Sequence, residues 1–430
     1  MIDINLIREN PQKVKDALAK RGFEFDAEGF LRVDEQYREA LNEIESLKAE
    51  RNKASSLVPQ LKKEGKPVDD IILSTRQLGE QIAAKEKTLG SIFEQWQQIQ
   101  LSLPNMPDDD IVAGGKEANK PIFTFGTKPQ FDFEPKSHIE LCESLGLIDY
   151  ERATKLSGNG FWIYRGRGAQ LEWALLNFFI SEHLKDGYEF VLPPELLNEK
   201  CGFGSGQFPK FGEEDVYYVD KASSDSIKQF LLPTAETAMV NLYANEVIPF
   251  DQLPLRMFAY SPCFRKEAGS YRAEERGMIR GHQFNKVEMI SYARPDQSDA
   301  MFEELVNKAQ SLVQKLGLHY QLSKLAAGDV AGTMARTYDI EVWIPSMGIY
   351  KEVSSVSNAR TFQAIRSNTK YKNEQGKNAF VHTLNGSGLA TARVIPAIVE
   401  QYQNADGSVT IPEVLRPFMG GLERLEPIKK

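Results

Sequence analysis

The segment FRKEAGSYRAEERGMIRGHQFNKVE, residues 264–288, decides the fold of this chain. Its two ends carry the alternating polar and apolar residues that are typical of β-strands, which we predict over Leu255–Glu267 and His282–Tyr292. The polar stretch between them predicts a loop. Because side chains alternate across a strand, two sets share a face: Arg265 with Glu267, and Phe284 with Lys286 and Glu288. The segment is therefore predicted to be a hairpin with one highly charged face.

That charged face suits a nucleotide. A guanidinium such as Arg265 can hold a phosphate with two hydrogen bonds, a ring such as Phe284 can stack on a purine, and a carboxylate such as Glu288 can hold an ammonium group. A charged hairpin that faces solvent, with one half-buried phenylalanine, explains the same residues equally well. The segment alone leaves both interpretations open.

Two further segments favour the nucleotide interpretation. LPTAET, residues 232–237, places Thr234 and Glu236 after a proline-fixed turn, and this compact polar pair suits a small zwitterion. LNGSGLATARVIPAIVEQY, residues 384–402, is predicted to run from a glycine-rich turn into a helix with Arg393 in its early turns.

KEVSSVSN, residues 351–358, offers oxygen ligands. Glu352 and the neighbouring serines supply groups that Mg²⁺ accepts alongside phosphate oxygens. Simple alternation along a strand places Glu352 and Ser355 on opposite faces, so joint use of both requires a bulge or a strand end.

Composition limits the class of protein. A chain of 430 residues with 41% hydrophobic and 26% charged residues is typical of a soluble globular protein with two domains. No apolar run reaches the roughly 18 to 20 residues that span a bilayer, and the first residues lack a signal core, so we expect no membrane contact and a cytoplasmic location. The formal net charge of -8 argues against indiscriminate binding to nucleic acid.

Known cofactor motifs are absent from the sequence. It has neither a G-x-x-x-x-G-K-[ST] phosphate loop nor a G-x-G-x-x-G between a strand and a helix, so if ATP binds, it binds on another scaffold. Cys142, Cys201 and Cys263 are far apart and lack histidines at metal-ligand spacing. We therefore expect reduced thiols and no zinc.

Residues 31–101 predict an antiparallel helical hairpin that is broken around residues 62–69. In its second half, one seam faces the partner helix at alternating steps of four and three residues: Leu78, Ile82, Lys85, Leu89, Ile92, Trp96 and Ile99. Two such helices can simply cover each other. The tip is basic, however, with Lys48, Arg51, Lys53, Lys62, Lys63 and Lys66 against Glu50 and Glu64. This excess favours contact with phosphates, although a charge run is also typical of a solvated face.

The domain boundary is predicted after this hairpin. We assign residues 1–110 to an N-terminal domain, residues 111–125 to a linker rich in glycine and proline, and residues 126–430 to a catalytic domain. Within the last, the apolar helix at about Ala169–Lys185 is either deep core or subunit interface.

Taken in order, these motifs resemble those of class II aminoacyl-tRNA synthetases, and specifically of the bacterial type of seryl-tRNA synthetase. The resemblance covers nearly the whole chain. It rests on LPTAE (232–236), PCFRKEAGS (262–270), HQFNKVE (282–288), TYDIEVW (337–343), KEVSSVSN (351–358), HTLNGSGLA (382–390) and PEVLRPFMGG (412–421).

The resemblance implies an α+β fold, in which an N-terminal antiparallel coiled-coil arm precedes an antiparallel sheet flanked by helices. It implies ATP-dependent activation of L-serine and transfer to serine tRNA. Many relatives also serve selenocysteine tRNA, which is therefore a candidate second substrate. A homodimer built on residues 169–194 is implied as well, with the arm reaching tRNA on the other subunit.

The resemblance also implies roles for individual residues. The catalytic residues are Arg265 and Arg393. Serine contacts are expected from Thr234, Ala235, Glu236, Arg265, Glu288, Asn385 and Ser387. ATP contacts are expected from Arg265, Lys266, Glu267, Arg276, Phe284, Glu352, Val353, Ser354, Ser355 and Arg393. Mg²⁺ is expected on Glu352 and Ser355, and tRNA on Arg51, Lys53, Lys62 and Lys63.

Some features depart from the family pattern or admit another function. Pro396 lies inside the last predicted helix, where it removes a backbone hydrogen bond and can kink the helix near Arg393. The segment ARTFQAIRSN, residues 359–368, receives no assignment. A synthetase-like regulator without charging activity, an enzyme that loads a carrier protein and a coiled-coil scaffold are the alternatives. The intact motif residues argue against the first, the arm against the second, and everything after residue 121 against the third.

Overall fold

The computed structural model describes residues 1–210, 212, 214–219, 227–267 and 277–428. These residues form two compact units. One comprises Ile2–Ala19 and Phe23–Pro104, and the other comprises Met1, Lys20–Gly22 and Asn105–Lys430.

The first unit is helical. Its helices are α1 (Ile4–Glu9), α2 (Pro11–Ala19), α3 (Ala27–Lys63) and α4 (Asp69–Ser102). Asp26 caps α3 by accepting a hydrogen bond from the backbone of Gly29 at 2.8 Å, and Gly65 supplies the positive φ of +67° that the turn between α3 and α4 needs. The predicted helical arm is thus confirmed, with helices that extend slightly beyond the predicted ends.

Helices α3 and α4 pack along the predicted seam. Ile44 of α3 and Ile82 of α4 are buried between them. Trp96 stacks on Tyr37, with 5.9 Å between the ring centroids. Lys85, which is polar within an apolar seam, forms an ion pair with Glu43 at 2.6 Å. The hairpin therefore combines a narrow apolar stripe with charged flanks, as the sequence indicates.

The second unit contains the sheet. Its described helices are α5 (His138–Ser144), α6 (Tyr150–Ser157), α7 (Arg167–Lys185), α8 (Glu199–Ser205), α9 (Ala235–Met239), α10 (Ser298–Lys315), α11 (Phe362–Ser367) and α12 (Thr391–Gln401). Its described strands are β1 (Lys120–Phe125), β2 (Ile148–Asp149), β3 (Ile163–Tyr164), β4 (Glu189–Val191), β5 (Leu196–Asn198), β6 (Tyr218–Val219), β7 (Gln229–Leu231), β8 (Val247–Ile248), β9 (Leu255–Phe264), β10 (Gln283–Ala293), β11 (Tyr320–Lys324), β12 (Arg336–Ile344), β13 (Ile349–Arg360), β14 (Lys370–Lys372), β15 (Asn378–Phe380), β16 (His382–Ala390), β17 (Val409–Thr410) and β18 (Arg424–Leu425).

The main sheet has eight strands in the order β1-β11-β12-β13-β16-β10-β9-β4. Every neighbouring pair is antiparallel except β4 with β9. Together with the helical arm, this arrangement confirms the predicted α+β class.

Strand β10 separates two apolar cores. Its odd-numbered residues Val287 and Met289 join the core that contains α7, α10 and α12. Its even-numbered residues Ile290 and Tyr292 join a different core with α9. Glu288 is also even-numbered and therefore lies on the α9 face of the sheet.

Two segments differ from the sequence prediction. Lys120–Phe125, at the end of the predicted linker, forms the edge strand β1 paired with β11. The glycine-rich residues predicted as a turn lie in the central strand β16, so that prediction is wrong. The glycines are needed for close packing: a Cβ on Gly388 would stand 2.3 Å from Nε2 of His183.

Helix α12 contains Pro396, as predicted. It continues through Pro396 to Gln401 and is buried along most of its length. Tertiary packing on the sheet therefore maintains the helix despite the hydrogen bond that proline cannot donate.

Helix α7 has one face in the core and apolar side chains on the other. Leu171 and Leu175 are buried, whereas Trp173 is 54% exposed and Leu184 is 50% exposed. A surface cavity beside Trp173 is closed on its other side by the 3-10 helix Glu413–Met419 and the glycines after it. No helix in the described parts of the chain has the length and apolarity needed to cross a bilayer.

The substitution Gly168→Ala at the start of α7 should destabilise the second unit by about 1 to 3 kcal/mol. The new Cβ would stand 2.1 Å from the backbone oxygen of Leu147, so the helix or the neighbouring loop must shift. Urea unfolding followed by circular dichroism measures the change.

The same substitution at Gly79 is the control. Gly79 lies within α4 with nothing within 4 Å of the added Cβ, so Gly79→Ala should stabilise the arm by about 0.5 to 1 kcal/mol. Equal effects of the two substitutions would contradict the close approach at Gly168.

Candidate active site

The carboxylates of Glu236 and Glu288 lie side by side at the N-terminal end of α9. Thr234 caps this helix by accepting a hydrogen bond from the backbone nitrogen of Glu236 at 3.3 Å, with Ala235 buried between them. Glu288 reaches the same place from β10 and is only 1% exposed. The amide of Asn385 donates to Glu236 at 3.2 Å and to Glu288 at 3.1 Å. One amide nitrogen therefore bridges the two acids.

The remaining contacts stabilise this pair. Ser387 donates to Glu288 at 3.4 Å, and Gln363 donates to Glu236 at 2.8 Å. The Lys286 ammonium forms an ion pair with Glu288. Among the described residues, Oδ1 of Asn385 is buried without a hydrogen-bond partner, which leaves an acceptor for a ligand.

Glu236 titrates near neutral pH. Burial raises the pKa of Glu236 to about 7, and the negative charge of Glu288 adds to the shift, whereas Gln363, Lys286 and Arg265 oppose it. The carboxylate is therefore poised to gain charge when a cationic ligand arrives.

The β9–β10 hairpin lines a cavity next to this pair. Arg265 comes directly after β9, its Nε donates to the Pro233 carbonyl at 3.2 Å, and its guanidinium lies 5.2 Å from the centroid of the Phe284 ring. Glu267 lines the same cavity and accepts a hydrogen bond from Arg280 at 2.7 Å. Its φ of +49° is left-handed, so the chain is no longer extended at Glu267, and β9, which ends at Phe264, is shorter than predicted.

Arg393 enters the cavity from the first turn of α12. Its Nη1 donates to the backbone oxygen of Glu352 at 2.9 Å, and its Nε donates to that of Ile279 at 3.2 Å. These two hydrogen bonds fix the guanidinium of Arg393, so its remaining N–H groups can donate to a phosphate. Glu352 and Val353 of β13 form the adjacent wall.

A bulge in β13 places Glu352 and Ser355 on the same face of the sheet, which regular alternation would not do. Opposite β12, Ile340 pairs with Ser354 while Glu341 pairs with Glu352, so Val353 is the extra residue. Ser355 hydrogen-bonds to Asp339, whose pKa is raised well above its usual range by burial and, secondly, by the charge of Glu352. Glu352 and Ser355 thus approach the same carboxylate, while Ser354 donates to the backbone oxygen of Ser387 at 2.6 Å.

These oxygens fit a magnesium ion. A carboxylate and a hydroxyl are hard ligands, and Mg²⁺ usually takes few protein ligands and completes its shell with water and phosphate oxygens. No group of three or more histidine, cysteine or acidic side chains is poised to hold a metal among the described residues.

Some predicted residues are not brought into the cavity. The Lys266 ammonium lies 5.7 Å from the centroid of the Tyr217 ring, and Lys266 does not line the cavity. Arg276 lies outside the described residues.

Other residues in the site were not assigned from the sequence. Gln363, in the unassigned ARTFQAIRSN segment, reaches Glu236 across 127 positions of chain, which no local pattern signals. Lys286 was placed on the face of Glu288 by alternation but received no role.

Two family models match the chain. The model of the seryl-tRNA synthetase N-terminal domain matches residues 1–107, and that of the tRNA synthetase class II core domain (G, H, P, S and T) matches residues 217–402.

Individual proteins match over nearly full length. Serine–tRNA ligase 2 of Clostridium acetobutylicum is 54% identical over 422 residues, with 98% of this chain and 99% of that protein covered. Serine–tRNA ligase of Thermodesulfovibrio yellowstonii is 44% identical over 425 residues, with the same shares covered. The crystal structure of seryl-tRNA synthetase from Pyrococcus horikoshii complexed with ATP superposes with a TM-score of 0.89 at 33% identity, and both chains are fully covered.

The paired acids, the arginine-lined cavity and the helical arm agree with these full-length matches. The resemblance seen in the sequence is therefore confirmed, and the chain belongs to the seryl-tRNA synthetases, the class II ligases that activate serine with ATP and attach it to tRNA.

Proposed function

We propose that Glu236 and Glu288 bind the ammonium and hydroxyl groups of serine and that Arg265 binds its carboxylate. The observation that carries this proposal is the Asn385 amide shared by the two acids. A ligand that brings its own cation and a hydrogen-bond donor suits two neighbouring carboxylates in so buried a position. Thr234, Ala235 and Ser387 complete the proposed serine site.

This site explains how serine is distinguished from alanine and threonine. Polar groups built to pair with a substrate hydroxyl go unpaired when the hydroxyl is missing, and such sites reject the analogue by a factor of about 10⁴ to 10⁵. Close packing of Asn385 and Ser387 around Glu288 leaves little room for the extra methyl group of threonine.

ATP is proposed to occupy the adjoining cavity. Phe284 stacks on adenine with Glu267 nearby, Arg265 holds the α-phosphate, and Arg393 holds the outer phosphates. Val353 lines this cavity, and the buried Ser354 is proposed to support the ATP site through its hydrogen bond to Ser387. Arg276 and Lys266 keep their proposed contacts with ATP, although the first is not described and the second points to Tyr217.

The reaction needs alignment more than acid–base chemistry. The serine carboxylate attacks the α-phosphorus, pyrophosphate leaves, and a ribose hydroxyl of tRNA then takes the seryl group from the adenylate. Arg265 touches both reacting groups and neutralises charge between them, and orientation of bound reactants can contribute about 7 to 11 kcal/mol. Glu352 and Ser355 are proposed to hold Mg²⁺, which supplies charge neutralisation on the phosphates when bound.

The tip of the arm is proposed to bind serine tRNA. Arg51, Lys53, Lys62 and Lys63 have no carboxylate within 4 Å among the described residues, whereas Lys48 pairs with Glu86 at 2.7 Å and Lys66 pairs with Glu64 at 2.7 Å. Unpaired cations release counterions when they meet phosphates, so the first four suit RNA best.

Further partners are proposed on different grounds. The exposed Trp173 and Leu184 on α7 support a homodimer, because large apolar side chains grouped on one face mark an interface.

A cytoplasmic location is proposed because charged tRNA is supplied to protein synthesis. Selenocysteine tRNA remains a proposed second substrate, and a zinc-independent mechanism is also part of the proposal. The domain limits at residues 110 and 125 are retained as proposals.

The substitution Glu288→Ala should abolish serine-dependent ATP–pyrophosphate exchange, because it removes the buried charge that pairs with the serine ammonium. Glu288→Gln keeps the shape and should lose nearly as much activity. Glu303→Ala, on the exposed face of α10, is the matched control. Near-normal exchange by the Glu288→Ala protein would refute the serine site.

The KM for serine should fall about tenfold between pH 6 and pH 8. Glu236 has a pKa of about 7, and only its charged form, which predominates above that pH, attracts the substrate ammonium. Exchange assays at saturating ATP measure the KM. Glu236→Gln should remove this pH dependence, and a flat profile in the wild-type protein would rule out titration of Glu236.

Replacing Arg51, Lys53, Lys62 and Lys63 together by glutamine should raise the KM for serine tRNA at least about tenfold and weaken its salt dependence. Pyrophosphate exchange should be unchanged, since that reaction needs no tRNA. The double replacement of the paired Lys48 and Lys66 is the control. Deletion of about Val33–Leu101 should abolish charging with exchange preserved, and full charging by the deletion protein would show that the arm does not read tRNA.

A further inference from the structure

Lys286 lies at the junction of the serine and ATP sites. It is only 7% exposed, it lines the ATP cavity together with Arg265 and Phe284, and its ammonium pairs with Glu288. The residues that line the cavity do not include Glu288 itself. Lys286 and Ser387 therefore border both sites, as does Arg265, which is proposed to bind both substrates.

The pairing of Lys286 creates a competition. A buried ammonium loses several kcal/mol of hydration and needs a partner. Its partner Glu288 is the carboxylate proposed to hold the ammonium of serine, and the same Oε2 accepts the Ser387 hydroxyl. Asn385 occupies Oε1 as well, so an ammonium that binds Glu288 competes with Lys286 for the remaining acceptor positions.

Four charged side chains meet at this junction. Ionised Glu236 and Glu288 carry two negative charges, and Lys286 and Arg265 carry two positive ones, which balance in the empty site. Zwitterionic serine adds no net charge, so its ammonium can take the place of Lys286 on the acids without upsetting this balance. The released lysine then adds a positive charge where the serine carboxylate meets ATP.

We propose that Lys286 is the internal counter-ion of Glu288 in the serine-free site, and that the serine ammonium displaces it toward the reacting carboxylate and the α-phosphate. This inference rests on the proposed serine site. It makes Lys286 a switch that places a second cation beside Arg265 only when serine is bound.

The geometry permits this movement within one side chain. Lys286 and Glu288 share a face of β10 two residues apart, and the flexible stem of lysine lets the ammonium turn about its own bonds. Arg265 and Arg393 already line the cavity into which it turns. A cation that arrives with the amino acid stabilises the developing phosphate charge without holding ATP in an unproductive state.

A purely structural role for Lys286 and a competing role predict opposite effects of its removal on the binding of cationic ligands. If Lys286 only keeps Glu288 charged and in place, its removal should weaken every ligand of the site. If Lys286 competes with the substrate ammonium, its removal should strengthen a ligand that carries an ammonium and a hydroxyl but no carboxylate. Ethanolamine is such a ligand.

The test measures inhibition of serine-dependent pyrophosphate exchange by ethanolamine, with the wild-type, Lys286→Met and Lys286→Gln proteins at pH 8. Both variants should bind ethanolamine about tenfold tighter than the wild type, because the internal competitor is gone. Their kcat should fall about 100-fold through loss of a transition-state cation. Lys155→Met on α6, far along the chain from the site, should leave both quantities unchanged.

Weaker or unchanged ethanolamine binding by folded variants would overturn the displacement. Should neither variant fold, a crystal structure of the wild-type protein with serine and a non-hydrolysable ATP analogue decides the matter. Separation of Lys286 from Glu288 beyond hydrogen-bonding distance supports the proposal, and a retained pair overturns it. Failure of the serine site itself is recognised separately, by normal exchange in the Glu288→Ala protein.

Discussion

The burial of Glu288 in the middle of a β-sheet is the constraint around which this enzyme is organised. A carboxylate that is 1% exposed is tolerated only with hydrogen bonds and a counter-charge. Asn385 and Ser387 from the neighbouring strand supply the hydrogen bonds, and Lys286 supplies the charge. The same groups that make the empty site stable are those that a small zwitterion can replace or share, so stability and specificity have one origin.

The strand pairing of β16 makes this arrangement possible. β16 lies between β13 and β10, which brings Asn385 and Ser387 beside Glu288. Its glycines allow close contact on the other side, where His183 of α7 leaves no space for a Cβ at Gly388. Because α7 also carries the exposed Trp173, the strand proposed to hold serine packs directly against the helix proposed to form the dimer.

The cavity proposed to bind ATP is shaped by departures from regular strand geometry, a positive φ at Glu267 and a β-bulge at Val353. Glu267 has a positive φ and accepts a hydrogen bond from Arg280, and the bulge at Val353 turns Glu352 and Ser355 toward Asp339. Regular alternation would have placed Glu352 and Ser355 on opposite faces of the sheet. A small departure from strand geometry thus gathers the groups that are proposed to hold phosphate and metal.

The sequence by itself determined the elements and the chemistry. Alternation along residues 282–292 placed Phe284, Lys286 and Glu288 on one face, and heptad-like spacing determined the arm, because both signals arise from neighbours along the chain. Tertiary structure alone decided that NGSG is a central strand rather than a turn, that Pro396 is tolerated in α12, and that Gln363 supports Glu236. Those outcomes depend on packing and hydrogen bonds between residues far apart in sequence, for which a local pattern carries no signal.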